Sequence, residues 1–187
     1  VRQSTSLRGL LVAQFFGGFN DNAWKLIVIF LGMRAAGSAA ESSTAKQFET
    51  TLAFIALTLP LILFSLPAGM LADRVSKRTI MIAMKGLELV LMLAGTMILF
   101  FLPTENQPLL VAVLALMGMQ SAIFSPAKYG ILPELLPHER LSAGNGVLEM
   151  WCFLAVILGT AAGPLLVDGA SEIGAGDGSL WLAGLVL

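Results

Sequence analysis

Four residues of the first apolar stretch fall on one line. Gln14, Gly18, Asp21 and Lys25 are separated by four, three and four positions, with Asn22 beside them. That spacing stacks side chains along one face of an α-helix. Inside hydrocarbon such a stripe has three uses: Asp21 and Lys25 neutralise each other, Lys25 snorkels outward, or the stripe lines an aqueous cavity where Asp21 reads a cation or a proton. Lys85 and Glu88 form a second ionisable pair within an apolar stretch, and Asn145 and Glu149 a third polar set. An internal Lys85–Glu88 pair, or a Lys85–Glu149 bridge between helices, would neutralise these charges and could latch a gate. None of this is catalytic chemistry. His138 is the sole histidine and Cys152 the sole cysteine. A histidine zinc site, a Ser-His-Asp triad, a cysteine-rich metal site and an intramolecular disulfide all lack parts. No catalytic residue, metal or cofactor is expected.

These side chains need elements to carry them, and composition says of what kind. The chain has 187 residues, 57% apolar and only 12% charged, with a mean hydropathy of +0.85. Soluble domains carry about a quarter charged residues, so too few are present here to cover a water-facing surface. A net charge of −1 excludes a nucleic-acid partner. The reading is an all-α polytopic membrane protein whose first partner is the lipid bilayer.

A bilayer core takes about 20 apolar residues at ~1.5 Å each. Residues 7–33, 51–72, 79–102, 109–127 and 144–167 meet that length, and a sixth span starts at 180. Short connectors make sequence neighbours antiparallel. Arg2, Arg8, Arg74, Lys77, Arg78, Lys128 and Arg140 fall on one side of this arrangement, against Arg34 and Lys46 on the other. The positive-inside rule then places the N-terminus in the cytoplasm. Six spans with both ends inside are half of a twelve-span transporter, so residues 1–187 read as an N-terminal transmembrane bundle whose C-terminal half is absent from this chain. Pro60, Pro67 and Pro126 invite kinks. Gly159 and Gly163 share a face that lets helices approach closely. Trp24 and Trp181 suit interface anchors, and Cys152 a buried, inert site.

The strongest spacing signal is Gly69-Met-Leu-Ala-Asp73-Arg74-Val-Ser-Lys77-Arg78 between the second and third spans. Gly69 permits close approach, Asp73 meets helix dipoles or basic partners, and the basic residues hold the loop inside. The loop resembles the signature of the major facilitator superfamily, with Ser76 where a glycine is usual. The resemblance implies that Gly69, Asp73, Arg74, Lys77 and Arg78 form a conformational latch, and the fold an N-terminal six-helix bundle of that superfamily with its sixth helix truncated.

Three further stretches are similar to the bacterial lysophospholipid transporter family, including forms fused to acyltransferase and acyl–carrier-protein ligase domains. They are Gln14-Phe-Phe-Gly-Gly-Phe-Asn20-Asp21-Asn22, Phe124-Ser125-Pro126-Ala127-Lys128-Tyr129-Gly130-Ile131-Leu132-Pro133-Glu134-Leu135, and Asn145-Gly146-Val-Leu-Glu149. The resemblance implies inward flipping of lysophosphatidylethanolamine-type lipids across the bacterial cytoplasmic membrane, for re-acylation, by alternating access. It implies Asp21, Asn22, Gln14, Lys128 and Glu149 as substrate-binding residues. A zwitterionic headgroup needs an anion for its ammonium and a cation for its phosphate, and Lys128 either supplies the latter or anchors the topology. Two other readings stand beside this one: a drug or small-solute exporter of the same superfamily, and the membrane portion of a fused acyltransferase.

Overall fold

The computed structural model describes residues 2–35, 43–101 and 107–173. All secondary structure among them is helical. In chain order the helices are α1 (Arg2–Ala35), α2 (Ser43–Arg74), α3 (Lys77–Phe101), α4 (Gln107–Gly130), the single turn α5 (Leu132–Leu135), and α6 (Leu141–Ile173), entered through a 3-10 turn at His138–Arg140. The expected sixth span, Trp181 and the end of the acidic connector lie outside the described residues.

Length and composition alone make α2, α3, α4 and α6 fit to cross a membrane. The 34 residues of α1 rise about 51 Å, well beyond a core of about 30 Å. Gln14, Asn20, Asp21, Asn22 and Lys25 within its apolar stretch make it more polar than the other four. The outer faces of α2, α3 and α6 are apolar and open, with Leu66 76% and Leu165 70% exposed. Lipid tails satisfy such faces, so burial of apolar area does not by itself drive these helices together, and close packing must.

Glycines supply that packing. Gly159 on α6 lies against the backbone carbonyl of Phe19 on α1, and Gly163 against the carbonyl of Ala23, so the expected close approach is present. Gly118 on α4 lies in the same way against the carbonyl of Leu57 on α2. Gly69 is different: nothing stands within 4 Å of where its Cβ would be. The close approach expected there is absent among the described residues, because α2 and α3 part beyond their turn.

That turn is only Val75 and Ser76. Ser76 starts α3 as its N-cap, its Oγ accepting the Thr79 N–H at 3.2 Å. Sequence neighbours do not, however, always pack together. Both α2 and α3 pack chiefly on α4, and α1 packs chiefly on α6. Pro60, Pro67, Pro126 and Pro164 all lie inside continuous helices.

The main apolar core gathers Trp24, Ile27, Val28, Leu91, Leu99, Leu114 and Met117. Trp24 is therefore no interface anchor. It is fully buried, its ring fills the space that Gly95 leaves on α3, and its Nε1 has no hydrogen-bond partner among the described residues. Two smaller clusters close the basic end: Leu10, Leu132 and Leu148, and Ala72, Ile80 and Ala127.

Candidate functional site

The α1 stripe meets a matching stripe on α4. Ser121, Ser125 and Lys128 are spaced by four and three, as Gln14, Gly18 and Asp21 are. The two faces, with Lys85 and Glu88 of α3 and Leu61 of α2, line a half-open chamber of about 200 Å³. Sites for drug-sized ligands run to roughly 300–1,000 Å³, so this one has the size of a headgroup, not of a whole lipid.

Asp21 and Lys25 are not an ion pair. Asp21 Oδ2 accepts the Ser121 hydroxyl at 2.5 Å. Lys25 Nζ donates to Asn22 Oδ1 at 2.9 Å and lies over the Phe54 ring, 5.2 Å from its centroid. Asn22 also donates to the Gly18 carbonyl at 2.8 Å. Asn22 thus braces α1 and is not on the chamber wall. The second carboxylate oxygen, Asp21 Oδ1, and Gln14 Oε1 are buried without hydrogen-bond partners among the described residues. Buried acceptors in that condition are costly, and a ligand or water with N–H or O–H groups relieves the cost.

Lys85 pairs with Glu88 at 2.6 Å, so the internal ion pair holds and the Lys85–Glu149 bridge does not form. Gln120 Nε2 donates to Glu88 Oε2 and to the Met84 carbonyl, both at 3.2 Å. Lys85 Nζ also stands over the Phe124 ring at 5.2 Å. Both residues line a second, open groove of about 840 Å³ toward the basic end, walled by Leu10, Met81, Ile131 and Leu135, with Arg78.

Lys128 is 7% exposed and lines the chamber. Its Nζ donates to Cys152 Sγ at 3.6 Å and sits 4.5 Å from the Tyr129 ring centroid. No carboxylate pairs with it among the described residues. Cys152 is only half-buried and is part of this contact. Glu149 accepts the Tyr129 hydroxyl and is off the chamber wall, reaching Lys128 only through that ring.

Of the five substrate-site residues expected from the sequence, Gln14, Asp21 and Lys128 meet in the chamber, while Asn22 and Glu149 stand behind it. Lys85, Glu88, Gln120, Ser121 and Ser125 are the other polar residues of the wall. Gln120 and Ser121 carry a usable signal: polar residues within a span, with Ser121 at helical spacing from Ser125 and Lys128. The residues expected to form a latch lie elsewhere, around the α2–α3 turn. Asp73, Arg74 and Arg78 are exposed, and Lys77 pairs with Glu134 of α5 at 2.9 Å.

The chain is 34% identical over 165 residues to the lysophospholipid transporter LplT of Yersinia pestis (strain Pestoides F), covering 88% of this chain and 36% of that protein. The same values hold for LplT of Yersinia pseudotuberculosis serotype O:3 (strain YPIII). The chain thus spans about a third of the length of these curated relatives. No solved structure matches. Residues 9–187 match the sequence profile of the Major Facilitator Superfamily, from the first helix through the last described one. The polytopic helical bundle, the Asp73-Arg74 pair that ends α2 before the α2–α3 turn, and this match together place the chain in the Major Facilitator Superfamily.

Proposed function

We propose that the chain is the N-terminal bundle of a lysophospholipid transporter, which moves lysophosphatidylethanolamine-type lipids to the inner leaflet of the bacterial cytoplasmic membrane by alternating access, for re-acylation. Its N-terminus lies in the cytoplasm, and its partners are the C-terminal transporter half and, in fused forms, an acyltransferase domain. One observation carries the reading. Lys85 and Glu88 cancel within the chamber wall, which leaves one anion, Asp21, and one cation, Lys128, facing the same small space. That is the complement of a zwitterionic headgroup. Asp21 takes the ammonium and Lys128 the phosphate, while the acyl chain lies along apolar helix surface. A charge buried this way is tolerated only where water, a partner or a substrate meets it.

The test is uptake of labelled lysophosphatidylethanolamine by cells making the complete natural protein. Uptake above control cells, lost in both Asp21→Asn and Lys128→Met, is the expected result. An inserted wild-type protein that moves no lysophospholipid would overturn the reading.

A further inference from the structure

The two oxygens of Asp21 are unequally placed. Ser121 holds Oδ2 at 2.5 Å, whereas Oδ1 is buried without a partner. A carboxylate is planar, so a hydrogen bond that fixes one oxygen also aims the other. The Ser121 hydroxyl has only one proton, and a second acceptor stands within reach: Gln120 Oε1, at 3.3 Å. Gln120 is itself pinned, since its amide nitrogen donates to Glu88 and to the Met84 carbonyl on α3. The hydroxyl therefore stands between a carboxylate on α1 and a side chain anchored to α3.

We propose that Ser121 is a positioning residue for Asp21 that sets the preference for headgroups bearing an ammonium; the proposal rests on the chamber being the headgroup site. With the chamber empty, Ser121 holds Oδ2 and keeps Oδ1 available. An arriving ammonium donates to Oδ1 while the Ser121 hydroxyl stays on Oδ2, so the bond that aims the carboxylate is kept in the bound state. Gln14 Oε1, seven residues before Asp21 on the same helix, is a second buried acceptor without a partner, and it too suits an N–H donor. A glycerol headgroup brings no positive charge to Asp21. It is held by its phosphate at Lys128 and gains nothing from the aim of the carboxylate.

The experiment compares uptake of lysophosphatidylethanolamine and lysophosphatidylglycerol by the complete natural protein in proteoliposomes. The variants are Ser121→Ala and Ser121→Thr. Loss of one hydrogen bond to a charged group should lower ethanolamine-lipid uptake about tenfold in Ser121→Ala, leave glycerol-lipid uptake within about twofold, and be reversed in Ser121→Thr. A residue that merely packs α4 would move both lipids together. Equal loss of both, loss of neither, or failure of threonine to restore the ratio overturns the proposal while the transporter reading stands. Wild-type protein that moves neither lipid overturns both. If Ser121→Ala does not accumulate in the membrane, Ser121→Cys, with a weak thiol donor of similar size, carries the same comparison.

Discussion

The Lys85 ammonium occupies the space in which a side chain at Gly17 would begin. The absence of a Cβ on α1 therefore lets an α3 lysine reach the chamber and its partner Glu88. The obstructing atom is the far end of a flexible side chain, which can swing away. At Gly159 the obstruction is the Phe19 backbone, which cannot.

These two glycines should thus respond differently to alanine. Gly159→Ala should force α1 and α6 apart and destabilise the protein by about 1–3 kcal/mol, the usual range for overpacking. Gly146, with open space around it, should accept alanine with a gain of up to about 1 kcal/mol from helix propensity. Gly17→Ala should melt close to wild type yet transport poorly, because it displaces Lys85 from Glu88. Thermal unfolding in detergent, run beside uptake, checks all three. A Gly159→Ala melting temperature equal to wild type would refute the packing argument.

Asp21 and Lys25 have separate partners, so removing both charges should not repair the loss of one. Transport abolished by Asp21→Asn should stay abolished in the double replacement with Lys25→Met, with the protein still inserted. Recovery of uptake in the double variant would make Asp21 a structural counter-charge.

Labelling checks the orientation. In a background with Cys152 replaced, cysteines at Ser76 and Ser142, both exposed, should react with an impermeant maleimide only from the cytoplasmic side, and one at Ser171 only from outside. The asymmetry of the basic residues is the reason. Labelling of Ser76→Cys from outside would invert the topology.

Asp73 is exposed at the end of α2, far along the helix from the chamber. Asp73→Asn should slow uptake several-fold through the balance of conformations, with headgroup affinity nearly unchanged. Equilibrium binding to the purified variant measures this directly. A large loss of affinity would move Asp73 into the binding site.

The α1 stripe is legible in sequence because charges in a span are rare and each one demands a partner. Its partner is less so. A serine in an apolar helix can bond to its own backbone at little cost, so the Ser121–Ser125–Lys128 spacing marks a polar face without naming Asp21 as what it meets. Trp24 misleads for a related reason. Counted along α1 it sits where an interface anchor would, and only Gly95, on another helix, makes room for the ring inside. The Asp21–Lys25 spacing is correct for a pair, but Ser121 and Asn22 offer each charge a nearer contact. Short connectors likewise suggest that α2 packs on α3, whereas the glycine at 118 draws α2 onto α4.

The contact between Ser121 and Asp21 also bears on how the protein is made. The two residues are 100 positions apart, and synthesis at about 5–20 residues per second separates them by roughly 5–20 s. For that interval α1 has emerged with a carboxylate that has no hydroxyl to hold it, and Gly159, which docks α1 onto α6, comes later still. The polar first helix must therefore wait at the insertion machinery, or at the edge of the lipid, until α4 and α6 follow. Variants that weaken the Asp21–Ser121 contact should for this reason lower the amount of protein assembled in the membrane more when translation is slowed, which lengthens the wait, than when it is fast.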